Sequence, residues 1–249
     1  MRADNKDIIK INGKNYNIYI KEYIPEKMDE IFIACHGFGG DKDSSAIQKL
    51  AQNMSKKNIG VISFDFPAHG ESEVDGEFLT LENCINDINA IENYIKNKYN
   101  PSKINIFATS FGAYITLLKL IKENSKYNRI ILRAPAIKMN EIFKNYLLNE
   151  NLSDFMERGY SIMGFERPMK IYTKYLWELE NNKIIDLYNK NYDMLIIQGN
   201  KDNVAPIKDT YEFVNRNKNI SLKVLEGADH RMKKDGEIDK VMEWVKEYI

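Results

Sequence analysis

One serine of the chain, Ser110, stands between an apolar run and an amphipathic stretch. The run 104–108 predicts a buried strand and the stretch 111–123 predicts a helix, which places Ser110 on a strand-to-helix turn. Such a turn strains the backbone at its centre and brings neighbouring chains close, so small residues are needed two positions before and after it. Ala108 and Gly112 meet this need. The pattern predicts a nucleophilic serine, and its structural alternative is a serine that caps the following helix.

A serine hydroxyl attacks a carbonyl carbon only when a base removes its proton, so the chain must also supply a histidine. The three histidines are His36, His69 and His230. His230 follows the last predicted strand, 222–225, where a side chain can lean over the edge of a sheet. We predict that His230 is the base, against the alternative of a surface histidine in a loop.

The imidazole of such a base needs an acid that holds its tautomer and stabilises its charge. Asp202 lies in the loop after the predicted strand 194–198. Other acids near these loops are Asp193, Glu226 and Asp229. A residue adjacent to a histidine points elsewhere and seldom orients its neighbour, so Asp202 is the predicted acid.

The elements that position these residues follow from the hydrophobic pattern. Six short apolar runs predict buried strands, at 31–35, 60–64, 104–108, 130–134, 194–198 and 222–225. Four amphipathic stretches predict helices, at 44–57, 81–98, 111–123 and 238–248. Alternating strands and helices require crossover connections, which predict the α/β class with a mostly parallel sheet.

Two segments depart from this alternation. The alternating segment 8–20 contains Asn12-Gly13, a type I′ turn signal, and predicts an antiparallel hairpin at the start of the sheet. The segment 136–192 contains no run typical of a buried strand but is rich in large apolar residues. We predict an α/β core formed by 1–135 and 193–249, with 136–192 as an inserted cap that covers part of it. Within the cap, 159–164 and 169–172 are expected to form a small hairpin flanked by helices.

Composition narrows the classes of partner. Lys plus Arg and Asp plus Glu number 36 each among 249 residues, which gives no net field to attract nucleic acid or an anionic membrane. No apolar run approaches the length of a membrane span or a signal peptide, so we expect a cytoplasmic protein without membrane insertion. Cys35 and Cys84 are expected to be reduced core thiols. Because no phosphate loop, zinc pattern or dinucleotide fingerprint is present, we expect no cofactor and no metal.

The order Ser110, Asp202, His230 resembles that of the α/β-hydrolase superfamily, and the resemblance extends over essentially the whole chain. Two further motifs match in order, His36-Gly37-Phe38-Gly39-Gly40 after one strand and residues 65–72 after the next. One departure is Ala108, which stands where this family usually has glycine. The resemblance implies the α/β-hydrolase fold and a serine hydrolase that acts through an acyl-enzyme.

The resemblance also implies roles for residues outside this trio. In this family two backbone N–H groups hold the oxyanion, and here they belong to Phe38 and Phe111. Donors placed in this way lower the barrier by about 3 to 4 kcal/mol. The resemblance makes His36 and His69 structural residues of their loops.

The place and size of 136–192 are similar to the cap of bacterial cinnamoyl and feruloyl esterases and related short-chain carboxylesterases. This implies a small-molecule carboxylic ester as substrate. The residues then expected to line an acyl pocket are Met139, Phe143, Tyr160, Met163, Tyr172 and Val204. The alternative for the cap residues among them is that they form the core of the cap itself.

Other activities remain open at this point. A thioesterase, an acyltransferase and a small serine peptidase use the same apparatus as an esterase. From a different class, a protein of this fold can bind a small ligand without catalysis.

Overall fold

The computed structural model describes residues 9–148, 150–164 and 167–249. Ile8, the first residue of the predicted hairpin segment, and residues 165 and 166 of the predicted cap hairpin lie outside the described residues. The strands in chain order are β1 (Ile9–Asn12), β2 (Asn17–Tyr23), β3 (Glu30–Cys35), β4 (Ile59–Phe64), β5 (Lys103–Thr109), β6 (Ile130–Arg133), β7 (Tyr160–Met163), β8 (Met169–Tyr172), β9 (Met194–Gly199) and β10 (Ile220–Leu225).

The helices alternate with these strands. They are α1 (Ser45–Ser55), α2 (Leu81–Tyr99), α3 (Phe111–Lys122), α4 (Met139–Ile142), α5 (Leu152–Arg158), α6 (Thr173–Asn181), α7 (Ile184–Leu187), α8 (Ile207–Arg216) and α9 (Glu237–Tyr248). A 3-10 turn at Gly76–Phe78 and a π-helical turn at Phe143–Leu147 complete the set in the described ranges. No helix of the described residues is long and apolar enough to cross a bilayer.

In the described ranges the main sheet has eight strands in the order β1-β2-β4-β3-β5-β6-β9-β10. The strands β4, β3, β5, β6, β9 and β10 pair in parallel, whereas β1 with β2 and β2 with β4 are antiparallel. Parallel strands are covered on both faces, and β4 is accordingly buried at all of its six positions. The predicted α/β class is confirmed, and all six predicted strands are present with ends that differ by a residue or two.

Two apolar layers cover the sheet. One face packs against α1 and α9 through Leu50, Met54, Val241 and Val245. The other face packs against α2, α3 and α8 and continues into the segment 136–192. Burial on both faces explains why the strands are apolar at nearly every position rather than at alternate ones.

Helix α8 was not predicted from the pattern. Only Asp209, Thr210 and Phe213 are buried along it, so its inward face is narrow and partly polar. The helix is amphipathic, but its mean hydropathy is low, so its sequence does not stand out as a core helix.

The N-terminal hairpin forms, but its predicted two-residue turn is wrong. Asn12 pairs with Asn17 as the last residue of β1, so four residues, 13–16, make the connection. Tyr16 in this loop donates a hydrogen bond to the buried Asp87 at 3.0 Å and packs edge-on against Phe78. These contacts of Tyr16 favour the longer loop, because a two-residue turn would not allow Tyr16 to reach helix α2.

The segment 136–192 contains short helices and a second, two-stranded sheet in which β7 and β8 pair antiparallel. Its hairpin and α6 contact the core at residues 69–81. The Arg167 guanidinium donates to the carbonyl groups of Gly70 and Ser72 at 2.9 and 2.8 Å, and the backbone N–H of Leu81 donates to Glu178 at 2.7 Å. Cys35 and Cys84 are both buried free thiols, as expected.

Candidate active site

Ser110 lies at the end of β5 with φ 51° and ψ −108°. This is a strained backbone conformation for a residue with a side chain, and such strain is found where a function requires it. The strain is held by hydrogen bonds, because the Ser110 N–H donates to the Arg133 carbonyl at 2.9 Å and the Ser110 carbonyl accepts from Tyr114 and Ala136. The serine hydroxyl is therefore presented by a rigid turn.

Close packing around the turn explains the small residues beside the serine. A Cβ atom on Gly112 would lie 2.6 Å from the carbonyl oxygen of His36, a distance that no side chain tolerates. The same close approach lets the Gly112 N–H donate to that oxygen at 3.1 Å. Ala108 is fully buried within β5, where a methyl group fits between Cys35 and Leu132 of the two neighbouring strands.

The side chains of the three predicted residues form one chain of hydrogen bonds. The Oγ of Ser110 lies 2.9 Å from Nε2 of His230, and Nδ1 of His230 lies 2.7 Å from Oδ2 of Asp202. Because a carboxylate only accepts, Nδ1 carries the imidazole proton and Nε2 is left to accept from the serine hydroxyl. The imidazole is thus in the tautomer that can remove the serine proton.

Asp202 is held by four donors and its side chain is fully buried. Besides His230, the backbone N–H groups of Val204 and Ala205 donate to it at 2.9 and 2.8 Å, and the Gln198 amide donates at 2.7 Å. Four donors fix both oxygens of this carboxylate in place beside the imidazole. Sequence reasoning missed Gln198, whose only signal was a polar residue at the end of an apolar strand.

The other acids considered for this place make different contacts. Asp229 accepts from the backbone N–H groups of Arg231 and Met232 at 2.9 and 3.0 Å, which closes the loop that carries His230. Glu226 accepts a hydrogen bond from Asn200, and Asp193 is exposed. Among these acids only Asp202 is hydrogen-bonded to the imidazole.

His36 orients the peptide that joins Gly37 to Phe38. Its Nε2 accepts from the N–H of Phe66 at 3.1 Å, so the proton is on Nδ1, which donates to the Gly37 carbonyl at 2.8 Å. Gly40 donates to the same carbonyl at 3.0 Å. Fixing this carbonyl also fixes the Phe38 N–H, which points the opposite way in the same planar peptide. Burial lowers the pKa of His36 to about 4 and keeps the ring neutral.

The N–H groups of Phe38 and Phe111 have no hydrogen-bond acceptor among the described residues. Both lie close to the serine. Phe111 is the next residue in the chain, and a Cβ on Gly37 would be 3.4 Å from the Cβ of Ser110. Two unpaired backbone donors beside a nucleophile are the arrangement that stabilises an oxyanion.

His69 lies in an aromatic cluster behind these donors. Its ring centroid is 5.2 Å from that of Phe38 and 6.0 Å from that of Phe111, onto which it stacks. Its Nδ1 donates to the Pro67 carbonyl at 2.9 Å, and burial lowers its pKa to about 3. In the described ranges no group of His, Cys, Asp and Glu side chains is suited to hold a metal ion.

Four of the six predicted pocket residues belong to one apolar layer, since Val204 packs against the cluster that contains Met139, Phe143 and Met163. Met139, Phe143 and Met163 are buried in the apolar layer, and Phe143 packs edge-on against Tyr175. Tyr160 and Tyr172 pair across the hairpin on the face that also carries the exposed Ile162. Val204 is half-buried, and its backbone N–H is bonded to Asp202.

The eight-stranded sheet, the crossover helices and a serine on a strand-to-helix turn define the α/β-hydrolase fold, as the sequence motifs predicted. Residues 26–180, more than half of the chain, match the family model Hydrolase_4, described as serine aminopeptidase, S33. The chain belongs to this family of serine hydrolases.

Relatives are similar along most of their length. A Mycoplasma genitalium protein whose name assigns it to the esterases and lipases is 25% identical over 83% of this chain and 84% of its own. A monoglyceride lipase homolog of Monkeypox virus is 26% identical over 90% of both chains. The crystal structure of Est1E from Butyrivibrio proteoclasticus with bound ferulic acid is 21% identical, covers 96% of this chain and 97% of its own, and has a TM-score of 0.84. This last likeness confirms the fold.

Proposed function

We propose that the protein is a carboxylic ester hydrolase in which Ser110, His230 and Asp202 form the catalytic triad. The observation that carries the proposal is the continuous hydrogen-bond chain from the serine hydroxyl through the imidazole to a buried carboxylate. The names of the two relatives support esters as the substrate class.

In the proposed acylation step, Nε2 of His230 takes the proton of Ser110 as Oγ attacks the ester carbonyl carbon. The Phe38 and Phe111 N–H groups donate to the oxyanion that forms. The imidazolium then gives its proton to the departing alcohol, which leaves an acyl group on Ser110. Asp202 keeps the imidazole oriented and stabilises its charge without taking the proton itself.

Deacylation repeats these steps with water as the nucleophile. His230 removes a proton from a water molecule that attacks the acyl carbon, and the same two N–H groups hold the second oxyanion. Collapse of this intermediate releases the carboxylic acid and returns the proton to Ser110. No cofactor or metal takes part in the proposed reaction.

The segment 136–192 is proposed to act as the cap. Ser110 is only 8% exposed, and the hairpin and α6 of this segment are held to residues 69–81 of the core. A cover of this kind excludes water from the reaction and shapes the space for the acyl group.

The test is turnover of p-nitrophenyl butyrate together with labelling by a fluorophosphonate probe. Wild type is expected to react with both, and Ser110→Ala to lose both. Ser153→Ala, which removes an exposed serine of α5, serves as the matched control and is expected to behave as wild type. Turnover that persists in the Ser110→Ala variant contradicts the proposed nucleophile.

A peptidase is the second candidate, because the matching family model is described as serine aminopeptidase. Oxygen esters, acyl-CoA thioesters and aminoacyl p-nitroanilides compared at equal concentration separate the candidates. The highest kcat/KM is expected for the oxygen esters. A higher value for the anilides would assign the protein as a peptidase with the same triad.

A further inference from the structure

Arg133 stands between the strands that lead to the proposed nucleophile and to the proposed acid. It is the last residue of β6, paired with Thr109 of β5 on one side and with Ile197 of β9 on the other. Its carbonyl accepts the N–H of Ser110 at 2.9 Å, and the residue is 5% exposed. The main chain of Arg133 therefore already supports the strained turn at the serine.

The side chain of Arg133 reaches the loop that carries His230. One terminal nitrogen of its guanidinium donates to the carbonyl of Arg231, the residue that follows the histidine. Asp229, the residue before the histidine, closes the same loop through its hydrogen bonds to Arg231 and Met232. The backbone of His230 is thus held on both sides, and Arg133 provides a side-chain contact between this loop and strand β6.

The guanidinium is also a buried charge whose hydrogen bond to the Arg231 carbonyl is not accompanied by a salt bridge among the described residues. Its Nε has no hydrogen-bond partner in the same ranges. The acidic groups that act on it from the surrounding elements are Asp202 after β9, Asp229 in the histidine loop and Glu237 at the start of α9. Burial of an unpaired cation is costly, so a residue that only filled space here would be apolar.

We propose that Arg133 is a positioning residue of the triad, which anchors the His230 loop to the sheet and places a positive charge beside the Asp202–His230 pair. This inference rests on the proposed function. The anchor keeps Nε2 of His230 within hydrogen-bond distance of Ser110. The charge acts on Asp202, the carboxylate to which His230 is hydrogen-bonded.

The positive charge of Arg133 is expected to affect the pH dependence of kcat/KM in one direction. A positive charge near the imidazole disfavours its protonated form, so removal of that charge favours protonation at a higher pH. The base form of the histidine is the active one. The acid limb of the pH profile of kcat/KM therefore moves to higher pH when the charge is removed. A residue that only supported the fold would leave this limb in place.

Three substitutions of Arg133 separate the effect of its hydrogen bond to Arg231 from the effect of its positive charge. Arg133→Met removes both, and is expected to lower kcat about ten- to hundredfold and to raise the midpoint of the acid limb by roughly half a unit to one unit. Arg133→Gln keeps an amide donor but no charge, so it is expected to shift the acid limb with a smaller loss of kcat. Arg133→Lys keeps the charge and is expected to leave the midpoint of the acid limb within about 0.2 pH units of wild type.

The matched control is Arg129→Met. Arg129 lies just before β6 and also donates to a backbone carbonyl, that of Tyr248 at 2.9 Å, but at the other end of the strand. It is expected to change neither kcat nor the acid limb. All variants are assayed with p-nitrophenyl butyrate from pH 5 to 9 after their fold is checked by circular dichroism.

The inference is overturned if folded Arg133→Met retains kcat within about twofold and shows an unshifted acid limb. If Arg133→Met does not fold, Arg133→Gln serves as the test. An acid limb that is unshifted in Arg133→Gln contradicts the proposed effect of the charge. Failure of the proposed function is a separate result, because it appears as turnover that survives Ser110→Ala in an otherwise wild-type chain.

Discussion

Four hydrogen-bond donors meet at the carboxylate of Asp202, two at each oxygen. In an Asp202→Asn variant, the amide NH2 group takes the place of one of these oxygens. Its N–H groups then face two other donors, either those of His230 and Gln198 or the two backbone N–H groups. The histidine can restore the contact only by turning to the other tautomer, which leaves Nε2 protonated. At the scale of the residue, the acid therefore controls which nitrogen of His230 holds the proton.

We predict that Asp202→Asn lowers kcat for p-nitrophenyl butyrate by about 10⁴-fold while the protein still folds. Asp229→Asn is the matched control, because an asparagine oxygen still accepts from Arg231 and Met232. It is expected to stay within about threefold of wild type. A larger loss of kcat in Asp229→Asn than in Asp202→Asn would identify Asp229 as the acid.

At the scale of the element, one side chain joins the turn before β8 to several carbonyl groups of a single core loop. The Arg167 guanidinium donates to four carbonyl groups of the loop 69–74, at distances between 2.8 and 3.4 Å. The first of these belongs to His69, whose ring packs against Phe38 and Phe111. The hairpin of the segment 136–192 is thereby connected to the residues that supply the proposed oxyanion donors.

We predict that Arg167→Met lowers the free energy of unfolding by about 2 kcal/mol, because several buried carbonyl groups lose a charged donor. Lys174→Met is the matched control, since Lys174 is exposed, donates to the Glu77 carbonyl at 2.8 Å and lies 5.9 Å from the centroid of the Tyr172 ring. Its expected cost is below about 0.5 kcal/mol. Urea unfolding measures both.

Hydrogen exchange provides a second readout for the same pair of variants. Faster exchange is expected at 69–74 and at the hairpin strands in Arg167→Met only. Equal stability and equal exchange in the two variants would show that Arg167 does not join these elements.

At the scale of the whole molecule, two buried neutral histidines make stability depend on pH. Burial lowers the pKa of His36 to about 4 and that of His69 to about 3, from an ordinary value near 6.5. The unfolded chain therefore binds more protons than the folded one below about pH 6.5. The stability associated with neutral histidines is present above that pH and is lost as the pH falls towards the folded-state pKa values.

We predict that the pair removes about 2 kcal/mol of stability for each pH unit between about 6 and 4. His69→Gln is expected to halve this slope in urea unfolding series. Asp87 acts in the opposite sense, because burial raises its pKa well above the ordinary value. Asp87 contributes equally to wild type and to His69→Gln, so the difference between their two slopes reports on His69 alone. Identical slopes would contradict the prediction.

Much of the fold was predictable because its signals are local. Buried parallel strands are continuous apolar runs and their crossover helices are amphipathic, so the strands around Ser110 and Asp202 were found within a residue or two. The errors arose where a distant contact decided the local structure. Tyr16 reaches Asp87 and lengthens the hairpin loop. Helix α8 is amphipathic, but two of its three buried residues are polar and its mean hydropathy is low, so its sequence is not typical of a core helix.

The sequence by itself determined which groups are available for chemistry and the order in which they occur. Ser110, His230 and an acid after strand β9 follow from residue type, turn chemistry and strand order, which are properties of short segments. Tertiary structure decided that the acid bonded to His230 is Asp202, that His36 orients the Phe38 N–H, and that Arg133 joins β6 to the histidine loop. The hydrogen bond from Arg133 to the Arg231 carbonyl joins residues that are 98 positions apart. Such a contact leaves no periodic pattern in the sequence, because only folding brings the two atoms together.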